Sequence, residues 1–131
     1  MDLFFDTSAV VPLLLTEPHS NKASQAWSKA ERVWAWRWLH VETEAALSRR
    51  KAPAIAWRNW HQMASVFSWL DLSEQHYAQL RAFNRPLKLR AADAGHLYIF
   101  HLATNVVPTM KLVCFDQELR RATKTLGLEL H

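Results

Sequence analysis

Four acidic residues in this 131-residue sequence stand where carboxylates can do chemistry. Asp6 follows the short apolar run Leu3-Phe4-Phe5, and Asp116 follows Lys111 to Phe115. Both runs read as strands, and in a parallel sheet sites form outside the carboxyl ends of the strands. Parallel strands here would bring both carboxylates out at one edge. The competing reading makes each Asp a helix N-cap. Asp93 opens an otherwise apolar stretch, with Leu97 and Phe100 at helical spacing from it. A lone charge bordering a core is costly, so it calls for a partner, a cap role or a cation. A first-turn Asp that only complements the helix dipole is the plainer account. Glu42 and Glu44 flank Thr43 near the start of a predicted helix. Two residues apart they lie on roughly opposite faces, so only one points easily into a site. Solvent-facing acids of a first turn are the alternative for both.

Clustered carboxylates repel one another unless a cation neutralises them. Hard cations such as Mg²⁺ and Mn²⁺ prefer oxygen ligands. A cation so held activates a water molecule and stabilises the charge that develops in phosphodiester cleavage. That chemistry needs no serine or cysteine nucleophile. The seven histidines and single cysteine form no zinc pattern, since His96 and His101 are five apart, off one helix face. His96, three residues after Asp93, is a hydrogen-bonding neighbour of the acids or simply a packed or surface histidine.

The elements that must position these groups alternate between the two periods. Strands are expected at Leu3 to Phe5, at Val33 to Trp38 with Trp34, Trp36 and Trp38 on one side, at Lys111 to Phe115, and briefly at Leu128 to Leu130. Helices are expected over Ala9 to Leu15, Asn21 to Arg32, Val41 to Arg50, Ala54 to Trp69, from Ser73 to Phe83, Ala91 to Ala103 and Gln117 to Leu126, with Gly127 as C-cap. Apolar strands alternating with more numerous helices predict an α/β fold, a three-layer α/β/α sandwich on a small, mostly parallel sheet. The length suits one domain spanning residues 1–131.

Composition bounds the rest. Half the residues are hydrophobic and two are glycine, which argues against disorder. One cysteine excludes an internal disulfide and agrees with a reducing compartment. No apolar run is long enough to cross a membrane, and Asp2 and Asp6 break the N-terminal one, so neither a membrane span nor a signal peptide is expected and the location read is cytoplasmic. A net charge of +4 permits contact with a polyanion without demanding it. Arg49-Arg50-Lys51, Lys88 with Arg90, and Arg120-Arg121 with Lys124 are basic clusters that suit a phosphate backbone or a solvated helix face.

Four segments resemble the motifs of the PIN-domain family, and more narrowly the VapC-like toxins of toxin–antitoxin pairs. They are Phe5-Asp6-Thr7-Ser8-Ala9-Val10, the stretch from Val41 to Arg49, the stretch from Leu89 to Leu97, and Leu112 to Leu119 with Ala122 and Leu126-Gly127-Leu128 after it. They run in order through nearly the whole chain. By spacing to Ala46-Leu47 and Arg49, Glu42 matches the second motif's acid better than Glu44 does. The resemblance implies an endoribonuclease dependent on Mg²⁺ or Mn²⁺, cutting RNA by a metal-activated water, held in check by a cognate antitoxin and forming a homodimer. Carried over by position, Asp6, Glu42, Asp93 and Asp116 are the catalytic, metal-holding acids, Ser8 supports Asp6, and His96 belongs to the third motif. One departure is Cys114, where the family often has Thr or Ser two residues before the last Asp. The rival class is a non-catalytic PIN-like module that binds RNA or protein, which would require a lost acid.

Seven tryptophans are many for this length. Trp57, Trp60, Ala64 and Phe67 make a stripe at helical spacing. Core packing accounts for most of them, but large aromatics are also enriched at interfaces. In similar toxins the helices after the second motif grip the antitoxin, so Trp57 and Trp60 are expected in that groove, with base stacking as a third possibility.

Overall fold

Side-chain alternation in four short strands decides the layering. The computed structural model describes residues 1–131. In β1 (Asp2–Phe5) Leu3 and Phe5 enter one core and Phe4 enters the other. In β2 (Arg32–Trp36) Val33 and Ala35 join the first core, and Trp34 and Trp36 pack on the second. Val113 and Leu112 of β4 (Lys111–Val113) divide the same way. Both faces are therefore covered, as an all-parallel sheet requires.

The first core is closed by α1 (Thr7–Leu14), α2 (Ser20–Lys29), α3 (Trp38–Arg49) and α4 (Ala54–Val66). The second is closed by α5 (Tyr77–Leu87), α6 (Ala91–Thr104) and α7 (Gln117–Thr125). With β3 (Phe67–Leu70) at one edge, all strand pairings are parallel, in the order β3-β2-β1-β4. The predicted three-layer α/β/α sandwich is the fold observed.

Three expectations change. The helix expected to run to Trp69 stops at Val66, and β3 (Phe67–Leu70) follows as the sheet's edge strand beside β2. The stripe Trp57, Trp60, Ala64, Phe67 kept helical spacing across this break and hid it. Trp38 lies beyond β2, at the start of α3, so it does not continue the row of Trp34 and Trp36. Helix α3 thus begins three residues early, and Glu42 sits in its second turn rather than its first. The last strand reduces to a single bridge between Leu112 and Leu130. Gly127 takes a positive φ of 71° after α7, as a C-terminal cap does.

Candidate active site

Because β1 and β4 are parallel neighbours, the turns after them open at one edge of the sheet. Asp6 leaves β1 there, its amide bonded to the Val113 carbonyl at 3.3 Å. It occupies the N-cap position of α1 but makes no side-chain cap bond. Instead Ser8 Oγ donates to Asp6 Oδ1 at 2.7 Å and accepts from the Phe115 amide at 2.9 Å. The expected support from Ser8 thus ties Asp6 to the turn that carries Asp116. Asp116 does cap α7, accepting from the Leu119 amide through Oδ2 at 2.8 Å. Its other oxygen lies 3.7 Å from Arg90 Nη2, and the same nitrogen lies 3.4 Å from Asp93 Oδ2.

Glu42 arrives from α3. Its Oε1 accepts from Thr7 Oγ1 at 2.8 Å and from His96 Nε2 at 2.5 Å. His96 is buried in α6, three residues beyond Asp93. Its ring stands edge-on to Trp36 with centroids 5.0 Å apart. Gly95 makes that contact possible, since a Cβ there would collide with the Trp36 ring. The approach to α6 is also pinned, because Asn84 bonds both the amide and the carbonyl of Leu89. That loop sets Arg90 at the helix N-cap.

The four acids therefore form a ring. Thr7, next to Asp6 in the chain, bonds Glu42; His96, one turn beyond Asp93 on α6, bonds Glu42 as well; Arg90 lies between Asp93 and Asp116; and Ser8 bonds Asp6 and the amide that precedes Asp116. Glu44 is excluded from it: two residues along α3, it bonds His40 and the Trp60 indole instead.

The electrostatics match such crowding. Burial pushes Asp6 up to about 6, with the Asp93 charge adding to the rise and His96 and Ser8 opposing it. Burial and the Asp116 charge likewise raise Asp93. Burial of Glu42 acts upward too, but the His96 and Thr7 bonds outweigh it and hold the carboxyl below its usual value. With Glu42 ionised, His96 Nε2 must donate, which leaves buried Nδ1 without a partner. Asp93 Oδ2 is also buried with no hydrogen bond, since Arg90 is near but poorly aligned.

No three His, Cys, Asp or Glu side chains close into a metal cage. The donor set still fits a hard cation: the ring is all oxygen, and one buried carboxylate oxygen is orphaned. Mg²⁺ commonly keeps several waters and takes only one or two carboxylates directly. Cys114, the departure from the expected hydroxyl, is buried, and its burial drives the thiol well above the usual range. It contributes a backbone carbonyl, which accepts from Arg120 Nη1 at 2.8 Å.

Sequence reasoning missed two residues here. Thr7 was passed over, although its hydroxyl sits next to Asp6. Arg90 reads from the sequence as part of a basic cluster for a phosphate backbone or a solvated helix face, although its i,i+3 spacing to Asp93 puts them on one helix face. One expectation is overturned. Trp60 is completely buried in the first core, packed against His40 and Trp69, so it cannot line a partner groove in this chain. Trp57 is half-buried beside it.

The sequence model of the PIN domain matches residues 3–124. The chain belongs to the PIN-domain family. Two curated relatives, ribonuclease VapC45 and ribonuclease VapC49 of Mycobacterium tuberculosis, are each 33% identical to it over 106 residues, which is 72% of this chain and 72% of theirs. Among solved structures, Mycobacterium tuberculosis VapC20, described as a Sarcin-Ricin loop cleaving toxin, superposes with a TM-score of 0.70 at 17% identity, over 92% of this chain and 94% of that one. PAE2754 from Pyrobaculum aerophilum gives 0.60 at 21% identity, over 91% and 85%. At such identities the structural likeness speaks for the PIN fold alone. No helix is long and apolar enough to cross a membrane.

Proposed function

We propose that this PIN-domain chain is an endoribonuclease that hydrolyses RNA phosphodiester bonds at the acidic ring, with Mg²⁺ or Mn²⁺, as the toxin of a toxin–antitoxin pair. The observation that carries the reading is the ring itself: four acids from four distant segments, each held by a neighbour's side chain, Ser8 on Asp6, Thr7 and His96 on Glu42, and Arg90 between Asp93 and Asp116. Two features of the ring, a carboxyl raised to about 6 and an orphaned carboxylate oxygen, are costs that a structural site would have shed. The relatives' naming as VapC ribonucleases supports RNA as substrate. A non-catalytic module would lack an acid, and none is missing.

In this reading Asp6, Glu42, Asp93 and Asp116 hold the cation, directly or through water. The bound cation supplies positive charge that acidifies a water and offsets charge on the phosphate. Ser8 and Thr7 fix the rotamers of Asp6 and Glu42. His96 keeps Glu42 ionised and oriented, as outer partners of metal-holding groups do. Arg90, three-quarters exposed, is free to leave the acids and meet the phosphate. A cognate antitoxin, a homodimer and action in the cytoplasm belong to the same reading. For the antitoxin, exposed Trp38, Val41 and Ile55 on α3 and α4 join Trp57 as candidate contacts, in place of Trp60.

The test is RNA cleavage by the purified chain. Cleavage with Mn²⁺ or Mg²⁺ is expected, with loss on chelation and in Asp93→Asn. Cleavage that survives chelation, or an Asp93→Asn variant as active as the parent, would overturn the assignment.

A further inference from the structure

The acidic ring does not stand alone at its sheet edge. Thr7, Ser8 and Asp116 line a hollow of about 310 Å³ whose far wall is His19 and Phe115. On the other side of that wall lies a second cleft, about 560 Å³, between α2 and α7. The wall is one stacked pair, with the His19 and Phe115 rings 4.7 Å apart and 3° from parallel.

The second cleft has the opposite character. Lys22, Arg120, Lys124, His19 and His131 line it, and no aspartate or glutamate side chain does. Arg120 is half-buried and held by its bond to the Cys114 carbonyl, so its cation is fixed rather than trailing in solvent. Lys22 and Lys124 are exposed and approach from facing helices. Cations gathered in a concave site raise the local concentration of a polyanion far more than the same charges spread over a surface. A basic groove interleaved with a flat aromatic pair is the arrangement that grips single-stranded nucleic acid.

We propose that the cleft between α2 and α7 is a phosphate-binding subsite for the backbone of single-stranded RNA, taking a phosphate adjacent to the one presented to the acids. It rests on the nuclease reading above for its substrate. The basic cleft gives the strand a direction across the sheet edge. One phosphate lies among Lys22, Arg120 and Lys124, the His19–Phe115 pair offers a platform for a base, and the next phosphate lies over the ring.

The experiment measures binding of a short single-stranded 2′-O-methyl RNA, which cannot be cut, across a salt series with EDTA present. Parallel cleavage assays use ordinary RNA. The double variant Lys22→Gln/Lys124→Gln is compared with Arg81→Gln/Arg85→Gln on α5, which removes the same charge elsewhere. The cleft variant should bind about tenfold more weakly at low salt, with the salt slope flatter by ~0.7 per lost phosphate contact. It should raise the KM for RNA while kcat changes little. The α5 variant should do neither. Equal losses in both variants, or none in the cleft variant, would overturn the subsite. So would unchanged RNA binding with a selective loss of affinity for a poly-glutamate peptide, which would mark the cleft as a seat for an acidic protein. If the parent cuts nothing with Mn²⁺ yet RNA binding depends on Lys22 and Lys124, the phosphate subsite stands and the nuclease reading falls.

Discussion

Helix α3 carries two glutamate–histidine pairs two residues apart, and they have opposite fates. Glu42 bonds His96 at 2.5 Å, with the histidine side chain 2% exposed and Asp93 near enough to be raised by the Glu42 charge. Glu44 bonds His40 at 2.9 Å, with both side chains about 40% exposed and the Trp60 indole completing the carboxylate's partners. Helix geometry alone separates them, because i and i+2 face apart. The difference lies in what surrounds each pair. Beside Glu44 are the aromatic rings of Trp60 and Trp69, no buried polar atom of the pair is left without a partner, and the Trp60 bond ties α3 to α4. Beside Glu42 are carboxylates, an orphaned oxygen and an orphaned ring nitrogen. Identical chemistry serves structure in one place and, on the proposed function, holds a cation ligand ready in the other.

Breaking each pair should therefore give different losses. Glu42→Gln should lower kcat/KM by more than ~100-fold, the upper range for outer-sphere partners, with a modest change in thermal stability. Glu44→Gln should leave kcat/KM within about threefold and cost about 1 kcal/mol of stability, a small figure because the pair is solvent-screened. Equal losses of activity would erase the distinction. His96→Gln should fall between, at about 10–100-fold in activity and metal affinity, while His40→Gln should act on stability alone.

Asp6 sharpens the contrast through its charge. Its carboxyl is raised from 3.8 to about 6, so the fold favours the protonated form. The stabilisation that this proton confers is full below 3.8 and is lost as pH rises through about 6. At neutral pH the buried carboxylate costs on the order of 3 kcal/mol without a cation. Asp6→Asn, neutral and of the same shape, should thus stabilise the cation-free chain by up to that amount in thermal denaturation at pH 7.5 while abolishing cleavage. Cation binding requires the ionised form, so the parent's affinity for Mn²⁺ should drop about tenfold per pH unit below 6. A profile flat to pH 5 would remove Asp6 from the site.

How much of this was legible in the sequence follows from the reach of each signal. Asp6 and Asp116 could be placed at one edge because strand ends are local features and parallel pairing fixes the rest. Glu42 was separated from Glu44 by spacing within the resemblance, and the helix face agrees. Strand β3 was not legible, since Phe67 continues the helical spacing of Trp57, Trp60 and Ala64; only packing against β2 decides it. The burial of Trp60 was hidden for the same reason, since amphipathic spacing cannot say whether a stripe meets this chain's core or a partner. Arg90 between Asp93 and Asp116 depends on the fourth motif folding against the third, which no local pattern encodes.

The central claim is that Asp6, Glu42, Asp93 and Asp116 act as one cation site. Calorimetric titration of Mn²⁺ into the parent chain and the four single amide variants tests it directly. The account predicts one binding site per chain in the parent, and at least tenfold weaker affinity in each variant, within the 10–100-fold range or beyond. Undiminished Mn²⁺ binding in any of the four, with the fold intact, would contradict it.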